Sequence, residues 1–187
     1  MGVVTGANKK IDRGRVVASF LLGTKELYDY VDYNRNLLMM DIGYVNDPHI
    51  IFRNPKVVAV NTAVQIDLTG QISEDSVGTR IISGTGGQLD FVKSASMSEG
   101  GKSITAFPSR AKNGQSKIVP VLDEGAGVVT PRADAQWVVT EYGAVDLTGL
   151  SLQERAKKLI SIAHPEDKEG LERAAFERFG NYFRTME

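Results

Sequence analysis

Apolar residues recur in short runs along the chain, separated by glycine, proline and small polar residues, and the runs follow two different periods. Continuous or alternating runs predict strands at Val16 to Leu22, Leu37 to Val45, Val57 to Leu68, Ser103 to Phe107, Lys117 to Leu122 and Trp137 to Thr140. Thr69-Gly70 ends the longest of these, and Gln71 to Val77 returns, which predicts a hairpin. Helical spacing appears elsewhere. Thr24 is placed to cap a helix from Lys25, with Leu27, Tyr28 and Val31 on its inner face. Asn46-Asp47-Pro48 joins a cap to a proline at the first helical position and opens a short helix through Phe52. Gln88 to Ala95 puts Leu89, Val92 and Ala95 on one face. Ser151 and Glu154 form a capping box for a helix with Leu152, Ala156, Leu159, Ile160 and Ala163 on its apolar side. His164 caps and Pro165 opens a last helix, with Leu171, Ala174, Ala175 and Phe179 inward and Gly180 at its end. Ser109 to Ser116 reads as a polar loop, and Gly125-Ala126-Gly127 turns into Val128-Val129-Thr130. Helices interleaved with short strands predict an α/β fold with a mixed sheet.

Composition narrows the function classes. At 187 residues, residues 1–187 fit one domain with a real core. Hydrophobic residues make up 42% and charged residues 24%, the balance of an ordinary globular chain. A formal net charge of −1 gives no electrostatic reason to expect nucleic acid or an anionic membrane as partner. The absence of cysteine removes disulfides, a thiol nucleophile and a thiolate metal site. His49 and His164, far apart in sequence, argue against a histidine metal site or a serine–histidine triad, and no metal is expected. No apolar run approaches the roughly 20 residues of a membrane span. Met1 to Lys10 lacks the apolar core of a signal peptide, so the cytoplasm is the expected location.

The densest chemical signal is Ser83-Gly84-Thr85-Gly86-Gly87, entered from the β-prone Arg80-Ile81-Ile82 and leaving into the helix at Gln88. A strand, a glycine turn and a helix start present main-chain N–H groups to an anion or a developing oxyanion. Glycine also lets a ligand approach the backbone closely. The dinucleotide fingerprint fails, because Leu89 stands where its third glycine belongs. The phosphate loop fails as well, because Ser96 stands where Gly101-Lys102-Ser103 would need a leading glycine. Tight packing of the turn explains the same glycines equally well. Glu141 follows an apolar strand and precedes a glycine, a place that faces either a cleft or solvent. Asn61 lies inside a β run and needs partners if buried. Asp123 and Glu124 are adjacent on a strand and point to opposite faces, so they share no proton. Lys93, Lys102 and Arg132 read as solvated charges that could meet a phosphate, and Trp137 reads as core.

Six ordered blocks carry a family resemblance: Tyr44-Val45-Asn46-Asp47-Pro48, Asn61 to Gly70, Gly84 to Phe91, Gly100-Gly101-Lys102-Ser103-Ile104, Val138 to Gly143, and Glu154-Arg155-Ala156 through Ile162-Ala163-His164-Pro165. With them the chain resembles the C-terminal domain of the acetyl-CoA hydrolase and 4-hydroxybutyrate CoA-transferase family. The resemblance implies an open mixed sheet flanked by helices, of the CoA-transferase type. It implies covalent catalysis in which a glutamate attacks an acyl-CoA, passes through an anhydride to a glutamyl-CoA thioester, and delivers CoA to a second carboxylate. Gly86 and Gly87 would face the thioester carbonyl, and Asn61 and Glu141 would line the acyl and carboxylate site. Gly84, Gly86, Gly87, Gln88 and Lys102 would contact coenzyme A, a substrate here; no permanently bound cofactor is implied. A carboxyl in that setting is expected to hold its proton more tightly than usual, which applies to Glu141. Two departures stand out. Lys93-Ser94 replaces a common arginine and glycine, and Lys117 replaces a common arginine, so charge is kept but bidentate geometry is lost. The family's nucleophilic glutamate lies upstream of the segment matching Gly2 to Gly6. The implied partners are therefore an N-terminal half or a second copy in a homo-oligomer, besides acyl-CoA and a short-chain carboxylate. An acetyl-CoA hydrolase of the same family and a non-catalytic CoA-binding module are the alternatives.

Overall fold

The computed structural model describes residues 4–180. In chain order the elements are β1 (Val16–Ala18), α1 (Lys25–Val31), β2 (Leu37–Met39), α2 (Ile42–Val45), α3 (Pro48–Ile51), β3 (Val58–Asn61), β4 (Gln65–Asp67), β5 (Ile72–Ser73), β6 (Ser76–Val77) and β7 (Arg80–Ile81). The second half adds α4 (Gln88–Met97), β8 (Lys102–Ala106), β9 (Ile118–Val119), β10 (Trp137–Thr140), β11 (Gly143–Asp146), α5 (Leu152–Ser161) and α6 (Pro165–Phe179). The expected α/β class and mixed sheet are both present. The largest sheet runs β11-β10-β8-β3, with β3, β8 and β10 parallel and β11 antiparallel. A second sheet places β4 between β5 and β9, and the pairs β1–β2 and β6–β7 complete the strands.

Capping chemistry sets many of the helix ends. Asp47 accepts from the His49 N–H at 2.8 Å, ahead of Pro48 in the first turn of α3. Ser151 and Glu154 form the full reciprocal box, at 2.7 Å and 3.3 Å. The His164 ring accepts from the Glu166 N–H at 3.3 Å and opens α6, which ends at Gly180 with φ of +62°.

Three expectations are corrected. The strand foreseen from Leu37 to Val45 stops at Met39, because Asp41 accepts from the Gly43 N–H at 2.8 Å and starts α2. The run from Val57 to Leu68 is two strands in different sheets, joined by residues 62–64. Tyr28 and Leu152, foreseen as inward, are exposed.

The main core is built by Ile66, Leu68, Ile72 and Ile118 from the smaller sheet, Val138 and Val145 from the larger, and Leu159 and Ala156 from α5. Two polar groups hold the bend after β4. Asp67, fully buried, accepts from the N–H and hydroxyl of Thr69 and from the N–H and side-chain amide of Gln71. Buried Arg155 donates to the carbonyls of Arg132 at 2.6 Å, Thr69 at 3.3 Å and Leu150 at 3.4 Å. Each would otherwise leave buried backbone groups without partners.

The two faces of the largest sheet differ. Ala59, Ser103, Thr105, Val138, Thr140 and Val145 are buried on one. Registered neighbours Val60, Ile104 and Trp137 share the other with Val58 and Val139, where Val58 and Val60 are 56% and 66% exposed. No helix among the described residues is long and apolar enough to cross a membrane.

Candidate functional site

Parallel strands deliver their C-terminal ends to one edge of a sheet, where following loops build clefts. Asn61 ends β3 on that edge. Its side-chain nitrogen is buried and has no hydrogen-bond partner among the described residues. A buried donor without a partner is costly unless a ligand supplies an acceptor. It lies on the wall of a cleft of about 880 Å³, lined also by residues 83–88, Glu74 and Asn46 and by the exposed Phe20 and Ile42.

The glycine turn has the open backbone that its sequence suggests. Gly86 has φ of +58°, and a Cβ at Gly84 or Gly86 would meet nothing within 4 Å. Gly87 differs, because a Cβ there would collide with the Asn46 side chain. Gly87 is also the N-cap of α4 and provides no side-chain cap, so the first N–H groups of that helix are not taken up by a capping side chain. Main-chain donors of the turn and helix start thus border the same cleft as the unpaired Asn61 amide. Such a set suits the oxygen of a polarised carbonyl or a tetrahedral intermediate.

The turn is tied down from outside. The N–H groups of Ile82 and Ser83 donate to the Asp75 carbonyl at 2.8 Å and 3.2 Å. Gln88 is buried, and its neighbours orient its amide: the oxygen accepts from the Thr130 hydroxyl at 3.0 Å and the nitrogen donates to Glu74. Burial, and then the negative charge of Asp75, raises the Glu74 carboxyl above its ordinary pKa.

Not all of the foreseen site residues meet here. Asn61, Gly84, Gly86, Gly87 and Gln88 line the cleft together. Glu141 sits on the turn between β10 and β11, at the same sheet edge as Asn61, but is not among the cleft's lining residues. Its carboxylate accepts from the Ser109 N–H at 2.8 Å and hydroxyl at 2.7 Å. Those donors favour the ionised form, so its pKa is lowered, opposite to the expected rise. Lys102 begins β8, at the end remote from the cleft, about 13 Å of strand from Ala106. There its ammonium lies 5.2 Å from the centre of the Trp137 ring. Trp137 itself is half-buried on the open sheet face rather than in the core. Lys117 stands 5.4 Å from the Phe107 ring, and burial lowers its pKa. Glu74 and Asn46 are among the cleft residues that sequence reasoning missed. In the sequence Asn46 stands only in a cap and in a family block, and Glu74 lies 14 residues from Gln88 with no motif to link them.

Comparison with known proteins gives the chain's relatives. Residues 23–175 match the family model for the acetyl-CoA hydrolase/transferase C-terminal domain. The chain is 51% identical over 180 residues to a succinyl-CoA:acetate/propanoyl-CoA:succinate CoA transferase of Fasciola hepatica, covering 95% of this chain and 38% of that protein. It is 45% identical over 179 residues to the 4-hydroxybutyrate coenzyme A transferase of Clostridium kluyveri, covering 95% of this chain and 42% of that one. Among solved structures, RipA from Yersinia pestis superposes with a TM-score of 0.90 at 45% identity, over 95% of this chain and 40% of RipA. The chain therefore spans about two fifths of the length of the relatives it matches.

Proposed function

We propose, from the premise that this chain belongs to the acetyl-CoA hydrolase/transferase C-terminal domain family, that it is the C-terminal half of an acyl-CoA:carboxylate CoA-transferase of the 4-hydroxybutyrate/acetate type. The observation that carries the reading is the buried, unpartnered amide nitrogen of Asn61 on the wall of a glycine-lined cleft. In this reading the thioester carbonyl enters the cleft, and its oxygen accepts from Asn61 and from main-chain N–H groups at Gly86 and Gly87. Each well-placed donor of this kind contributes roughly 3 kcal/mol to lowering the barrier. Gly84 and Gln88 meet the coenzyme A portion alongside the turn.

The attacking carboxylate is a glutamate supplied by a complementary half, in the same longer chain or in a separate chain. It adds to the thioester carbonyl and expels the CoA thiolate, leaving a mixed anhydride. The thiolate then attacks the glutamyl carbonyl of that anhydride, releasing the acyl carboxylate and forming a glutamyl-CoA thioester. An incoming carboxylate reverses these steps and leaves as the new acyl-CoA. Atoms and charge balance at every stage, and no permanently bound cofactor takes part. Glu141 has a supporting role at the same sheet edge, positioning the acid or a water, with its ionised carboxylate anchored by Ser109. The cytoplasm is the compartment this reading assigns.

The test is reconstitution. The purified chain is mixed with the N-terminal portion of the Clostridium kluyveri relative and given acyl-CoA and labelled acetate. Acetate-dependent CoA exchange, with a borohydride-sensitive covalent intermediate on the added portion, is the expected result. The chain by itself should turn over nothing. CoA release that does not depend on acetate would instead make it a hydrolase. CoA binding without turnover in any combination would make it a non-catalytic binding module.

A further inference from the structure

Residues 84–87 have little of their own to fix their shape. Three of the four are glycine, and side chains at Gly84 and Gly86 would touch nothing. Glycine is the residue with most backbone freedom to lose, so an ordered glycine turn needs restraint from outside. That restraint comes at both ends from two adjacent residues. The Asp75 carbonyl holds the entry through the N–H groups of Ile82 and Ser83. The Glu74 carboxylate holds the exit through the side-chain amide of Gln88, which Thr130 grips from its other side.

We propose that Glu74 is a positioning residue that, by clamping Gln88, keeps the Gly86–Gly87 backbone donors aimed into the cleft. Glu74 acts through Gln88, because the amide nitrogen of Gln88 lies against both of its carboxylate oxygens. Gln88 is 5% exposed, so without Glu74 its buried amide would keep Thr130 alone and leave one of its polar atoms without a partner. The helix start, which no side chain caps, would then shift to find a partner. The role in turnover rests on the CoA-transferase reading of the cleft; the clamp itself rests on the geometry alone.

The experiment uses two readouts so that the two can fail separately. Hydrogen–deuterium exchange is followed in the purified chain at residues 83–89, with β8 as internal reference. Glu74→Leu, similar in size but unable to accept, should speed exchange at the turn about tenfold while leaving β8 unchanged. Glu74→Gln, which still offers an oxygen to Gln88, should stay within about threefold of the parent. In the reconstituted enzyme, Glu74→Leu should lower kcat about tenfold or more with KM for acyl-CoA within about twofold, and Glu74→Gln should recover most of the rate. If Glu74→Leu does not fold, Gln88→Met removes the same clamp from the other side and is read by exchange at the turn alone, because Gln88 also faces the cleft. Unchanged exchange at the turn in a folded clamp-less variant overturns the proposal, as does failure of Glu74→Gln to rescue. A parent enzyme with no CoA transfer would sink the functional reading, while the exchange data would still decide the clamp.

Discussion

Ser109 holds the Glu141 carboxylate with two donors, its main-chain N–H at 2.8 Å and its hydroxyl at 2.7 Å. The pair joins the loop after β8 to the turn after β10, 32 residues apart in sequence. Two donors to the ionised form depress the pKa below its ordinary value of 4.5. A group depressed in the folded state adds stability above its unfolded pKa and loses it as pH falls through the folded value. Glu141→Gln, with one acceptor oxygen in place of two, should therefore melt earlier than the parent at neutral pH. The gap should narrow as the pH is taken below 4.5. Thermal melts across that range check it, and a gap that does not depend on pH would contradict the assignment of an ionised Glu141.

The three cleft glycines should respond differently to the same change. Gly84→Ala adds a methyl to open space at a φ that any residue accepts, and stability should move by less than about 0.5 kcal/mol. Gly86→Ala forces a left-handed residue at φ of +58° to carry a Cβ, at a cost of about 1 kcal/mol. Gly87→Ala drives its Cβ into Asn46, and the strain should reach about 1–3 kcal/mol. Asn46→Ala should relieve it, so the double variant should be more stable than Gly87→Ala alone. Denaturant titrations of the five variants, Asn46→Ala alone included, measure this, and strictly additive effects at 46 and 87 would contradict the packing described here.

Arg155 offers a sharper stability test. Its guanidinium donates to three main-chain carbonyls from separate segments and has no carboxylate partner in an ion pair among the described residues. Arg155→Leu keeps bulk and removes the donors, stranding the buried carbonyl of Thr69 and removing the donor to Arg132. The expected loss is about 3 kcal/mol of unfolding free energy. A loss under about 1 kcal/mol would mean that water satisfies those carbonyls instead.

Much of this site can be read in the sequence where the signal is local. The glycine turn and the helix after it, the caps at Asp47, Ser151 and His164, and the strand Trp137–Thr140 all follow from neighbours a few residues apart. Local signals fail where tertiary contacts decide. Leu37 to Val45 is apolar enough for a strand throughout, yet one aspartate at position 41 converts its end to helix. The run through Asn61 is uniformly β-prone, and only the separate partners of β3 and β4 divide it. Lys102 sits in a quoted block beside the glycine stretch, but strand direction carries it to the far end of β8. Glu74 reaches Gln88 only because β6 and β7 fold the chain back between them.

Val60 and Trp137 lie on one face of the largest sheet, linked through Ile104 between them, and no helix among the described residues covers Val58 and Val60 there. Parallel strands are ordinarily covered on both sides, because crossover helices pack on each face. Here β3, β8 and β10 are covered on one side only, while Val58 and Val60 stand more than half exposed. An apolar sheet face of this kind gains from being covered, by about 25 cal/mol for each Å² removed from water. The relatives carry roughly three fifths of their length beyond the part matched here, and on the functional reading that portion brings the attacking glutamate. It is the expected cover. Trp137 is the chain's one tryptophan, so its fluorescence reports on this face without a label. Adding the N-terminal portion of the Clostridium kluyveri relative should shift its emission to the blue. Val60→Glu should abolish the shift while leaving the fold intact, because a residue 66% exposed makes few packing contacts to lose. No shift on mixing, with association detected by sedimentation, would place the contact elsewhere. A blue shift that grows with the concentration of this chain alone would make a second copy the cover, and would count against the two-half assembly on which the transferase reading depends.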